Sequence, residues 1–220
     1  RAFVANIFGG SVMNEDQTAY TFDSPEAIKA MEWVKKAIDE GLIGQGTEAL
    51  ASSDAIDLYL QQKAAVTILY STGLLKSNLS KKSVAFEDAL VPIPSPEGKL
   101  KLESLIGGLC VFDNKDEDKI AASKKFIDFL ANDPDWQLKN LKATGTFSVR
   151  DSVKNIYDDE EMKFAEAMGK YTAKYYNTVN GFAEMRTHWF PALQEITLGQ
   201  KSPAEALKAY NEKANATLKK

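Results

Sequence analysis

Ala64-Ala65-Val66-Thr67-Ile68-Leu69-Tyr70, followed by the turn Ser71-Thr72-Gly73, is a short, almost wholly apolar run bounded by polar residues. Such a run reads as a β-strand buried on both faces, which places it inside a layered sheet. Ala89-Leu90-Val91-Pro92-Ile93-Pro94 is a second strand, ended by prolines and by a Ser95-Pro96-Glu97-Gly98 turn. Leu105-Ile106-Gly107-Gly108-Leu109-Cys110-Val111-Phe112 is a third, interrupted by a glycine pair that permits close approach of another group.

Helices alternate with these strands. Ser24-Pro25-Glu26 sets an N-cap and a proline at the first helical position, and the helix runs to Gly41. Ala27, Met31, Val34 and Ile38 form its apolar stripe, with Glu32, Lys35, Lys36 and Asp39 toward water. A second helix is expected over 54–62. From Asp118, a wide apolar face of Ile120, Phe126, Ile127, Phe129 and Leu130 needs cover, and Asp133-Pro134 opens a shorter helix through Leu141. Residues 143–150 return extended. Helices then dominate, over about 159–176, 190–198 and from Ser202-Pro203 onward, the last with Leu207, Tyr210, Ala214 and Leu218 on one stripe. This alternation implies an α/β fold with a largely parallel sheet.

The 220 residues are 44% hydrophobic and 26% charged, which excludes disordered and collagen-like architectures and suffices for one large domain or two small ones. A net charge of −4 with acids and bases interspersed offers no footprint for nucleic acid. No apolar run approaches the ~18 residues of a membrane span, and residues 1–10 lack signal-peptide features. Cys110 and His188 are single, so no soft-metal site and no internal disulfide are expected.

The candidate chemistry is sparse. His188 has no nucleophile motif beside it and reads as structural. Asp158-Asp159-Glu160-Glu161 reads as the acidic start of a helix rather than a carboxylate pair for glycoside hydrolysis. Gly107-Gly108 lacks phosphate-nest spacing. Cys110, in an apolar strand, reads as an inert core thiol. Trp189-Phe190 after Arg186 is either a stacking platform or a core anchor.

Nine segments in order carry more than any one of them: Phe8-Gly9-Gly10-Ser11, Thr21 to Ala27, Lys63 to Ile68, Val91 to Pro94 with Gly98, Ile106-Gly107-Gly108, Ala122 to Leu130, Asp133-Pro134, Thr144 to Arg150, and Leu198 to Leu207. This series resembles the family 1 extracellular solute-binding proteins of ABC importers, the maltose-binding-protein-like group, over essentially the whole chain. The resemblance implies a periplasmic-binding-protein-like (type II) lobe, a three-layer α/β/α architecture with a helix-rich C-terminus. It further implies a C-terminal fragment in which 1–106 and 147–220 form the second lobe. Residues 107–146 then resemble part of the first lobe, with hinge crossings at both ends. The face of the helix over 118–130, whose cover in the family belongs to the first lobe, is then expected to be exposed and to find a second copy, swap, or fold back.

The function implied is capture of a sugar or oligosaccharide in an interlobe cleft, closure by hinge bending, and delivery to membrane permease subunits, with no cofactor. The location implied is the extracellular face of a bacterial membrane, as a lipoprotein, or the periplasm. Sugars need flat aromatics and paired hydrogen-bonders. Tyr70, Ser71 and Thr72 stand at the end of a buried strand, where open α/β sheets place ligands, and match the family's ligand loop, although the tryptophan often found there is absent. Gly107 and Gly108 open the backbone to a ligand, with Leu109 where relatives have an aromatic. By resemblance, Arg150 and Trp189 face the cleft, and Asn6 is a further candidate. Tyr70, Ser71, Thr72, Arg150 and Trp189 are expected on one face of one lobe. The alternatives are a glycan-active enzyme, which requires two facing carboxylates, and a binder of another polar solute such as a glycerol phosphate.

Overall fold

Three residues that precede prolines start helices in the computed structural model of the chain. Ser24, Asp133 and Ser202 hold extended backbone, with ψ of 154°, 116° and 153°, because the following proline ring disfavours the helical region. Each side chain then caps the helix it precedes: Ser24 accepts from Ala27 N, Asp133 from Trp136 N and Ser202 from Glu205 N. The structure describes residues 7–44, 46–67, 86–91, 95, 98, 102, 108–172 and 178–218.

The α-helices described are α1 (Pro25–Asp39), α2 (Ser52–Leu60), α3 (Glu117–Asn132), α4 (Pro134–Thr144), α5 (Glu160–Ala167), α6 (Phe182–Thr187), α7 (Trp189–Thr197) and α8 (Pro203–Thr217). Short 3₁₀ turns occupy Thr47–Ala49 and Met168–Tyr171. All the helices expected from the sequence are present, and α6 is an addition. The acidic run is the start of α5, where Asp159 accepts from Met162 N at 2.9 Å. The helix expected over 159–176 is shorter, since α5 tightens to 3₁₀ after Ala167.

Contacts divide the chain into two units. Unit 1 comprises Arg1–Asp57, Val91–Ser104 and Lys170–Lys220. Unit 2 comprises Leu58–Leu90 and Leu105–Gly169, so it takes in 58–90 and 147–169 besides the 107–146 segment.

Unit 1 has a well-filled core. The apolar stripe of α8 buries Leu207, Tyr210 and Ala214 against Met31 of α1, Met185 of α6 and Trp189, Ala192 and Ile196 of α7. Tyr210 is central: its ring lies 4.7 Å from that of Phe22 and 5.3 Å from that of Trp189, and its hydroxyl donates to Met185 Sδ at 2.8 Å. Residues 12–22 double back over this core through an antiparallel bridge between Met13 and Tyr20. Asn14 holds the turn by accepting from Thr18 N and Ala19 N.

Unit 2 is built differently. Among its described residues the buried hydrophobics are Leu60 and Met162, and neither α3 nor α4 buries a residue fully. On the apolar face of α3, Phe126 is 61% exposed and the Phe129 ring lies 6.4 Å from that of Trp136, while Ile120, Ile127 and Leu130 are half-buried.

The strands expected over 64–70, 89–94 and 105–112 require correction where they are described. Residues 64–67, 89–91 and 108–112 have no regular structure, and Val66 and Phe112 are 73% and 83% exposed. Cys110, expected in a core, is exposed too. An apolar run records what a chain gains by burial, but a strand also needs a ladder partner on each side and a layer over each face. Among the described residues the only ladder contacts are the Met13–Tyr20 bridge and a parallel one between Leu102 and Thr172.

Candidate functional site

Unit 2 carries a groove of about 370 Å³ between α4, the end of α3 and the strap that follows α4. It exists because of Asp133. That residue's N–H closes α3 on Phe129 O at 2.9 Å, while its carboxylate caps α4 on Trp136 N at 2.7 Å, so the chain turns a corner with no linker. Gln137 secures the corner by donating its side-chain amide to Ala131 O. Gly145 then ends α4 at φ 62°, a left-handed conformation that glycine adopts without a Cβ penalty.

Trp136, Gln137, Asn140 and Leu141 share one face of α4 and form one wall, with Leu130 of α3 beside them. Residues 146–150 form the opposite wall and carry Phe147, Ser148 and Arg150. Tyr157 pins this strap, since its hydroxyl lies 2.7 Å from Leu141 O and 2.6 Å from Thr146 O while its ring meets Phe147 edge to face at 5.6 Å. Burial, and secondarily the Glu166 carboxylate, raise the Tyr157 phenol above its usual range and keep it a donor.

Of the groove's polar side chains Arg150 only donates, while Gln137, Asn140, Thr146 and Ser148 both donate and accept. Ser148 Oγ accepts from Arg150 N at 3.0 Å, which leaves its hydroxyl hydrogen to give. The Asn140 side chain has no hydrogen bond among the described residues, and the Arg150 guanidinium has no carboxylate within ion-pair distance there. The neighbouring Asp151 is already paired with Lys154, whose hydrogen bond holds that carboxyl below its usual range. Among the described residues no aspartate or glutamate lines the groove. Aromatic walls with donors between them suit a ring with an apolar face and an oxygen-rich rim.

Of the residues expected at a site, Arg150 lies in this groove. Gly108 is exposed in unit 2. Trp189 belongs to unit 1, where it is 7% exposed in the core against Tyr210. Asn6, Tyr70, Ser71, Thr72 and Gly107 lie outside the described residues. Sequence reasoning passed over Trp136, Asn140, Phe147 and Ser148. The signal was there: Asp133-Pro134 and Gly145 bound a helix on which Trp136 and Asn140 stand four residues apart, facing the extended segment that holds Arg150.

Residues 2–135 match the family described as bacterial extracellular solute-binding protein. Two relatives that carry a binding-protein name, from Brucella abortus (strain 2308) and Brucella suis biovar 1 (strain 1330), are each 26% identical over 216 residues, which is 97% of this chain and 51% of theirs. The chain thus spans about half the length of the curated relatives it matches. Among solved structures, an ABC transporter solute-binding protein from Thermotoga lettingae TMO, bound with α-D-tagatose, superposes with a TM-score of 0.76 at 19% identity. That match covers 99% of this chain and 55% of the other. An ABC substrate-binding protein from Listeria monocytogenes, in complex with cycloalternan, superposes with a TM-score of 0.63 at 17% identity over 99% of this chain and 56% of its own. These two likenesses show a shared fold. With more than half of its length matched by that family, the chain belongs to the bacterial extracellular solute-binding proteins.

Proposed function

We propose that the chain is part of the substrate-binding component of an ABC importer, which captures a sugar or oligosaccharide outside the cytoplasmic membrane and hands it to permease subunits. The observation that carries this reading is the fold match at a TM-score of 0.76 to a solute-binding protein holding tagatose. The groove of unit 2 supports it, because Trp136 and Phe147 supply flat apolar faces and Asn140, Ser148 and Arg150 supply hydrogen bonds. Binding and release suffice for this role, and it asks no covalent step of any residue.

The finer parts of the reading are a type II lobe of three α/β/α layers, a location at the extracellular face as a lipoprotein or in the periplasm, and a set of ligand contacts. In unit 2 those contacts are Tyr70, Ser71, Thr72, Gly107, Gly108 and Arg150, joined by Trp136 and Asn140. In unit 1 the candidates are Asn6 and Trp189. A thermal-shift screen of the chain against monosaccharides and short oligosaccharides tests the reading: a saccharide that raises the melting temperature in a dose-dependent way supports it. Stabilisation by no saccharide, with a clear response to an unrelated solute class, overturns it.

A further inference from the structure

We infer that the groove of unit 2 takes a saccharide bearing an anionic group, a carboxylate or a phosphate, with the sugar ring on Trp136 and the anion on Arg150. The inference rests on the sugar-binding reading and adds the charge of the ligand to it.

Three observations support the anion. Among the described residues the groove's lining holds one cation and no carboxylate, in a chain whose overall charge is −4. A site for a neutral sugar has no need of an uncompensated guanidinium, whereas acidic side chains beside Arg150 would cancel it. The acid next to it in sequence, Asp151, is paired with Lys154, and among the described residues no carboxylate pairs with the Arg150 guanidinium. The Ser148 hydroxyl and the Asn140 amide can add donated bonds to such an anion, whose oxygens accept them more strongly than neutral hydroxyls do. Arg150 follows Ser148 by two residues on a strap pinned by Tyr157, which holds the donors together along one wall. A planar guanidinium meets a carboxylate or a phosphate through two parallel hydrogen bonds, which gives orientation as well as attraction.

The three tryptophans make the test specific to position. Trp136 is in the groove, Trp33 is exposed on α1 and Trp189 is in the unit 1 core, so their indole N–H resonances report three separate places. The ¹⁵N-labelled 220-residue chain is titrated with D-galacturonate, D-galactose, galactose 1-phosphate and inorganic phosphate. The expected result is a saturable shift of the Trp136 indole with galacturonate or galactose 1-phosphate, at least about tenfold tighter than with galactose. The two anionic sugars separate carboxylate from phosphate recognition. Arg150→Gln is expected to bring the ratio between anionic and neutral sugar toward one, while Lys142→Gln, an equal charge loss on α4 outside the groove lining, keeps the ratio. Galactose binding as tightly as galacturonate overturns the inference and leaves the sugar-binding reading standing. Shifts confined to Trp189 do the same and move the site to unit 1. Inorganic phosphate binding as tightly as the sugar phosphate also overturns it, because the ring then contributes nothing. No shift with any sugar removes both.

Discussion

Asn215 takes hold of both backbone groups of Tyr20: its Oδ1 accepts from Tyr20 N at 2.8 Å and its Nδ2 donates to Tyr20 O at 3.1 Å. One helical turn earlier, Asn211 accepts from Phe22 N at 3.1 Å. Two asparagines at i and i+4 on α8 therefore act as a partner strand for residues 20–22, across 195 residues of sequence in the case of Asn215. Asn215→Ala removes both of these part-buried hydrogen bonds, and the expected loss is about 2–4 kcal/mol of unfolding free energy. Urea denaturation checks this. A loss no larger than that of an exposed α8 substitution such as Glu212→Ala would show that water replaces the asparagine.

Gly181 and Gly41 both have positive φ, 75° and 73°, but a Cβ at Gly181 would lie 2.4 Å from Thr217 O while one at Gly41 meets nothing within 4 Å. Gly41→Ala is expected to cost about 1 kcal/mol from backbone strain alone. Gly181→Ala must also displace the end of α8 and should cost at least about twice as much. Paired thermal melts decide; equal losses would mean that α8 yields freely at Thr217.

Trp189→Ala removes the ring packed on Tyr210, and the expected cost is about 3–5 kcal/mol. Sequence alone left a stacking platform and a core anchor open for this residue. A stable variant with weakened sugar binding would favour the platform.

The helices were legible because their signals are local. Ser24-Pro25, Asp133-Pro134 and Ser202-Pro203 each supply a cap and a preset φ within two residues, and the stripes of α1 and α8 need only their own sequence. The acidic run before Met162 was read as a helix start for the same reason. The apolar runs at 64–67 and 108–112 were misread because burial depends on what lies opposite, and a sequence segment does not carry its own cover. The groove went unread since it joins a helix face to the segment after it, and that pairing depends on Tyr157 closing the strap on Leu141 and Thr146.

The Tyr157 hydroxyl has one hydrogen for two carbonyls, so it alternates between Leu141 O and Thr146 O or shares between them. Tyr157→Phe keeps the ring against Phe147 and removes this pin. The expected outcome is a loss of about 1–2 kcal/mol and faster amide exchange confined to residues 146–150. Unchanged exchange there would mean that ring packing alone holds the strap.

Glu205 completes the capping box of α8, accepting from the Ser202 hydroxyl and N–H, and the first of these lowers its carboxyl pKa most. A carboxyl depressed in the folded state contributes its full stabilisation above the unfolded glutamate value and loses it as pH falls through the lower folded value. Glu205→Gln is therefore expected to be less stable than the parent at neutral pH and to close that gap as the pH falls below the ordinary glutamate value and through the lower folded one. A gap that persists at low pH would show that the cap acts through geometry and not through charge.

The central claim is that this chain binds a saccharide, and saturation-transfer difference NMR on the 220-residue chain tests it most directly. The groove is open on one side, so affinity in about the millimolar range is expected. With D-tagatose, D-galactose and D-galacturonate as probes, the account predicts saturation transfer to ring protons of at least one sugar, greatest for galacturonate and reduced by Trp136→Ala. Transfer to none of them at tens of millimolar, from a chain shown by circular dichroism to be folded, would contradict it.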